Sequence, residues 1–195
     1  MSNNLTIKDL YSLEQYSEKR AAFREKVMKH KEARRIALGP NLTVYFESKM
    51  TIQYQVQEML RIEKIFEKKA IEEELSTYTA LIPDPRNLKA TMMLEYTDES
   101  VRRRKLRELK GIERGIWFQV GGGDKIFAIA DEDLEREDRD KTSAVHFLRF
   151  PISEQMIEEM STGARIVMGV QHPSCQIEPV TLSERAYQSL LMDMN

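Results

Sequence analysis

Apolar residues recur along this chain with two different periods, and the change of period divides it near residue 80. Before that point they return every three to four positions, as on a helix face; beyond it they alternate or run in short blocks, as in strands. Residues 12–35 are rich in Glu, Lys, Arg and Ala and hold no Gly or Pro, which predicts one long helix or two joined near Ser17. "LGPN" at 38–41 ends that run, "LTVYFE" is a short strand, and residues 51–75 return to a helical period. The two prolines of "IPDPRN" at 82–87 break either element and predict a loop.

In the second half, "ATMMLEY" at 90–96 reads as a strand, and "TDESVRRRKLRELKGI" as a helix capped by Thr97 or Asp98 and running to Lys110. "IWFQV" and "KIFAIA" flank "GGGD", a hairpin turn, because Gly accepts positive φ without steric cost. "TSAVHFLRFPI" carries apolar residues on both faces, as a central strand does. The short helix "SEQMIEEM", capped at Ser153, the strand "ARIVMGV" and the amphipathic helix "TLSERAYQSLLMDM" follow. These elements predict an α+β fold, with a largely antiparallel sheet from the second half covered by long N-terminal helices. The chain reads as a single domain over 1–195, with a mainly helical part over 1–80, a mainly sheet part over 88–175 and a C-terminal helix over 181–193.

Composition narrows the class. At 195 residues, 41% hydrophobic and 32% charged, the chain is long enough for a packed core and has the make-up of a globular protein. A formal net charge of -2 lacks the basic bias of non-specific nucleic-acid binding, so nucleic acid is disfavoured as a partner. The one cysteine, Cys175, cannot form an internal disulfide, and with 11 methionines it suits a reducing compartment, the cytoplasm. No segment has the apolar length of a membrane span, and the N-terminus lacks a secretion-signal pattern.

Polar residues on the helices raise the first question of chemistry. On a helical wheel with Ile52 at zero, Val56, Met59, Leu60 and Phe66 fall at about 40°, 340°, 80° and 320°, one apolar stripe. Glu63, at about 20°, and Glu67, at about 60°, lie inside it, with Gln55 on its flank at about 300°. A carboxylate on an apolar face needs a cation, a metal or a proton. The first helix offers cations: with Tyr16, Phe23 and Val27 marking its stripe, Arg20, His30 and Arg34 project into or beside it. Glu63 paired with Arg34 or Arg20 reads as a staple fixing helix register. The alternatives are a small-ligand or proton-handling pocket, and a metal site of Glu63, Glu67 and His30 that lacks the Glu-x-x-His signature of di-iron bundles.

Other candidates are sparser. His146 shares a strand face with Ala144, Leu148 and Phe150, the setting of a satisfied core histidine, and Arg149 lies on the opposite face. His172 and Cys175 in "HPSC" have the spacing of half a metal site, but no second cysteine completes it, so they are weak metal candidates and no cofactor is expected. Arg103, Arg104, Arg107 and Lys110 gather on one side of their helix, a solvated face or a docking surface for an acidic partner. The acidic run at 131–141, "DEDLEREDRDK", holds Asp131 and Asp133 as D-x-D without the glycine and terminal Glu of a calcium loop, and reads as a solvated connection with a short helix in it.

The runs "RRIALGPNLT", "QYQVQEMLRIE", "KATMMLEY", "IADEDLERE" and "KTSAVHFLRF" together resemble a bacterial family known only as a domain of unknown function, over roughly Leu5 to Pro173. Members of the family are typically encoded beside a rubrerythrin-like protein and a heterodisulfide-reductase-like iron-sulfur oxidoreductase. The resemblance implies a role in oxidative stress, through peroxide handling or electron transfer, and brings no established active site. The expectation is therefore an uncharacterised cytoplasmic accessory or protein-interaction partner of iron-sulfur and diiron redox proteins. The alternative is an enzyme or small-ligand-binding protein with a polar pocket around Arg34, Glu63 and His146.

Overall fold

The computed structural model describes residues 5–130 and 141–194. Among these, six α-helices pack on two antiparallel sheets, the α+β class that the pattern predicts. The acidic run at 131–140, with its predicted short helix, lies outside the described residues.

Helix α1 (Leu13–Ala33) is continuous, and a capping box starts it: the Ser12 hydroxyl accepts from the Gln15 amide while the Gln15 side chain accepts from the Ser12 amide. At Arg34 the chain turns into β1 (Arg35–Gly39), which pairs with β2 (Leu42–Phe46). The sequence reading has no β1. Its period of two, with Ile36 and Leu38 buried and Arg35 and Ala37 exposed, spans too few residues to stand out beside a helix of similar composition.

Residues 51–75, read as one helix, form two: α2 (Lys49–Ile62) and α3 (Lys68–Thr79). The stripe of Ile52, Val56 and Leu60 is buried as expected, but the helix then ends in a Schellman turn. Lys64 adopts φ 54, the Ile65 amide reaches back to the Leu60 carbonyl at 2.9 Å, and the Ile65 side chain joins the same apolar cluster. This position usually holds glycine, so no breaker marks it in the sequence.

Strand β3 (Asn87–Leu94) alternates along its length, with Leu88, Ala90, Met92 and Leu94 on one face and Lys89, Thr91 and Met93 on the other. After α4 (Glu99–Glu108), capped by Asp98, and a tight turn at Ile112–Gly115 comes β4 (Ile116–Val120). The predicted hairpin joins it to β5 (Ile126–Phe127), with Gly121 at φ 56 in the turn. Ala128 alone separates β5 from β6 (Ile129–Ala130), and at this residue the chain passes from one sheet to the other. The remaining elements are β7 (Val145–Pro151), α5 (Glu154–Ser161), β8 (Ile166–Val170), β9 (Val180–Thr181) and α6 (Glu184–Leu191).

The first sheet has the order β1-β2-β3-β7-β6 and the second β5-β4-β8-β9. Their inner faces share one core, where the rings of Phe46, Phe118 and Phe150 meet at centroid separations of 6.0–6.4 Å. In the second sheet the Trp117 ring lies over Gly169, its cross-strand partner, and a Cβ there would come within 2.3 Å of the ring. A separate cluster of Leu5, Ile52, Val56, Leu60, Leu75 and Ile82 holds the helices α2 and α3 together with the N-terminal segment. None of the described helices is long and apolar enough to cross a membrane.

Candidate functional site

The structure disperses the predicted polar pocket. Glu63 is the C-cap of α2 and Glu67 the N-cap of α3; both are exposed, because the helix that would have carried them inward ends at Ile62. Arg20 meets Glu58 instead, Nε to Oε1 at 2.7 Å and Nη2 to Oε2 at 2.8 Å, and the Tyr16 hydroxyl donates to the same carboxylate at 2.6 Å. Those bonds, the Arg20 fork first, lower the Glu58 carboxyl to about 2.

Arg34 is buried at the junction of α1 and β1, and its five donor hydrogens match five bonds. Nε donates to the Phe46 carbonyl, Nη1 to the Ser189 carbonyl and hydroxyl, and Nη2 to the Glu47 carbonyl and Asp193. Burial raises the Asp193 carboxyl above its ordinary value despite Arg34. His30 stands nearby, its Nε2 2.9 Å from Ser48 Oγ, and burial lowers its pKa, with the charges of Arg34 and Lys26 adding to the shift.

His146 lies on the inner face of β7, away from Arg34 and Glu63, beside two residues that the sequence reading did not select. Thr142 Oγ1 is 2.7 Å from His146 Nε2 and 3.2 Å from Glu113 Oε2, and His146 Nε2 is 3.1 Å from the Ser143 carbonyl. A carbonyl only accepts, so Nε2 carries the hydrogen and donates, and the Thr142 hydroxyl in turn donates a hydrogen bond to the Glu113 carboxylate. All three residues are buried, an internal polar link between the turn at Ile112–Gly115 and β7.

Both ring nitrogens of His172 are engaged. Nδ1 accepts from the Ser174 amide at 3.1 Å, so Nε2 donates to the Lys110 carbonyl at 3.0 Å. Cys175 is half-buried and burial pushes its thiol up, away from the thiolate a metal would need. On α4, Arg103 sits 3.2 Å from Glu99 and Arg104 3.5 Å from Glu108, and Arg107 is exposed; the helix ends at Glu108, so Lys110 is exposed in the turn beyond it, and the predicted basic face is a mixture of charges. Among the described residues no three or more His, Cys, Asp or Glu gather where they could hold a metal ion.

The residues that do converge lie on the outer face of the first sheet. There the sheet, the end of α3 and Gln55 of α2 enclose a cleft of about 730 Å³, within the usual range for a small-molecule site. Pairing sets its floor in rows: Lys89 opposite Arg149, Thr91 opposite Phe147 with Tyr45 on the far side, and Met93 opposite Val145. Glu47, just past the end of β2, bonds through its amide to the Lys89 carbonyl and closes the first row. Its carboxylate is buried and accepts from the hydroxyls of Thr51 and Thr91, the latter at 2.6 Å. With its single proton committed to Glu47, Thr91 can only accept from anything in the cleft. Lys31 lies 5.6 Å over the Tyr45 ring at the rim, and Arg149 Nη1 donates to Asn87 Oδ1 at 3.0 Å. Sequence reasoning placed Arg149 on this face and selected nothing else of the floor, although Met93, Val145 and Phe147 on a nominally solvated face are the signal that something covers it.

Two antiparallel sheets sharing a core, with a helical layer across the outer face of one, define an α+β protein with an open cleft between layers. The chain belongs to the family described as protein of unknown function (DUF3501), whose model matches residues 4–194. It is similar to a novel protein of unknown function from Burkholderia pseudomallei K96243, known from a crystal structure: identity is 41%, the TM-score is 0.93, and the match covers 98% of this chain and 100% of that one. A search of curated proteins gives no match.

Proposed function

We propose that the protein binds a small molecule in the cleft between the five-stranded sheet and α3. The observation that carries this reading is the cleft itself: about 730 Å³ bounded by a sheet whose strands hold Lys89, Thr91, Phe147 and Arg149 in fixed register. Groups on paired strands are placed more precisely than groups on loops, as a binding site requires. The Met93→Trp variant, which fills the cleft floor, should fold with unchanged circular dichroism and lose ligand hits found for the wild type by saturation-transfer NMR. Hits that persist unchanged in that variant would place binding elsewhere and end the proposal.

The accessory role beside iron-sulfur and diiron redox partners rests on the family resemblance. Its support within the chain is that the single thiol, Cys175, is half-buried and biased toward its protonated form. Tagged protein recovered from native extract should bring down one of those partners, and repeated recovery of neither counts against the role.

A further inference from the structure

We propose that the ligand of this cleft is a flat ring compound that presents an N–H or O–H donor to Thr91 Oγ1. The inference rests on the cleft being a binding site and adds the group that is recognised there. Thr91 occupies the middle of the floor, half-buried on β3. Its one hydroxyl hydrogen goes to Glu47 Oε1 at 2.6 Å, and the other oxygen of that buried carboxylate accepts from Thr51. What Thr91 offers the cleft is therefore a lone pair, on an oxygen that the carboxylate behind it makes a stronger acceptor.

A ring on each neighbouring strand flanks this oxygen. Tyr45 of β2 and Phe147 of β7 are the cross-strand partners of Thr91, so ring, hydroxyl and ring stand in one row about 10 Å wide, twice the spacing of adjacent strands. The Tyr45 hydroxyl is drawn to Arg35 Nε of β1, 3.2 Å away, which leaves the body of its ring beside Thr91. Met93, two residues along β3, extends the apolar surface on the same face. Gln55 of α2 lines the same cleft with an amide that both donates and accepts, a partner for a second polar group. A molecule of one or two rings matches the row, with its donor over the centre. Once such a ligand excludes water, a group with no hydrogen to give leaves the Thr91 oxygen buried and unpaired, so the site discriminates by what the ligand donates.

The test titrates the full chain, followed by NMR, with three bicyclic probes of nearly one shape: indole, which carries an N–H, and benzofuran and N-methylindole, which carry none. Indole should bind about fivefold more tightly than either. The Thr91→Val variant, which keeps the shape and removes the oxygen, should bind all three alike, and Thr91→Ser should keep the preference for indole. Equal binding of indole and benzofuran by the wild type, or tighter binding of benzofuran, overturns the inference whether or not the valine variant folds; if Met93→Trp abolishes that binding, the cleft stands as a site for other chemistry. A preference for indole that survives in Thr91→Val also overturns it. Failure of all three probes to bind overturns the inference and leaves the cleft to the ligand hits of the wild type. Binding that Met93→Trp does not alter removes the cleft, and this inference with it.

Discussion

The two faces of the five-stranded sheet are made by the same strands and have opposite fates. The inner face of β3 and β7 carries Leu88, Ala90, Met92, Leu148 and Phe150, sealed against the second sheet. On the outer face the same strands carry Lys89, Thr91, Met93, Val145, Phe147 and Arg149, all half-buried, under helices that stop short of covering them. A strand alternates faces at every residue, so each position serves packing or the cleft and not both. Their separation lets the outer face vary in chemistry without cost to the core.

The largest expected effects break the comparison on the inner side. Phe150→Ala should cost about 3–5 kcal/mol in urea unfolding, because the ring is fully buried among Phe46 and Phe118. Phe147→Ala, three residues earlier on the other face, should cost less than half of that; equal losses would mean that the two faces are packed alike. Next comes Glu58→Gln, which removes the charge that Arg20 grips and should cost about 1.5–3 kcal/mol. The same variant should change the acid limb of the stability curve. A carboxyl lowered in the fold contributes stability that is complete above its unfolded value of 4.5 and is lost as pH falls through about 2, so the variant should be flatter in that window. Smallest is Met93→Trp, expected within about 0.5 kcal/mol of wild type by thermal melt while its ligand hits vanish; a large loss of stability would show that the cleft floor is part of the core.

His30 offers a finer sharpening at the layer that bears α1. Its folded pKa lies below 6.5, so the unfolded chain takes up the proton first and stability declines as pH drops below 6.5. His30→Gln should remove that part of the slope and leave the step due to Glu58.

Much of this architecture was legible in the chain. Short apolar runs located β3 and β7, the latter with apolar residues on both faces, "GGGD" located the β4–β5 turn, and Thr97 or Asp98 and Ser153 were the expected caps, of which Asp98 and Ser153 accept from the first turn. What escaped had no local signature. The break after Ile62 rests on a lysine in a conformation that glycine normally supplies, and with it went the inward reading of Glu63. Glu58 and Glu113 are held by residues 38 and 29 positions away, so nothing in their own neighbourhood distinguishes them from solvated glutamates. The cleft was half visible: apolar content on both faces of β7 showed that each was covered, but only strand pairing brings Lys89 against Arg149.

The seat of Arg34 also sets a clock. Ser189, which takes two of its hydrogen bonds, lies 155 residues further along the chain. At roughly 5–20 residues per second, a ribosome takes about 8–30 s to reach it. Until then the guanidinium has only the nearby carbonyls of Phe46 and Glu47, so the junction of α1 with the sheet is among the last parts of the fold that biosynthesis can complete.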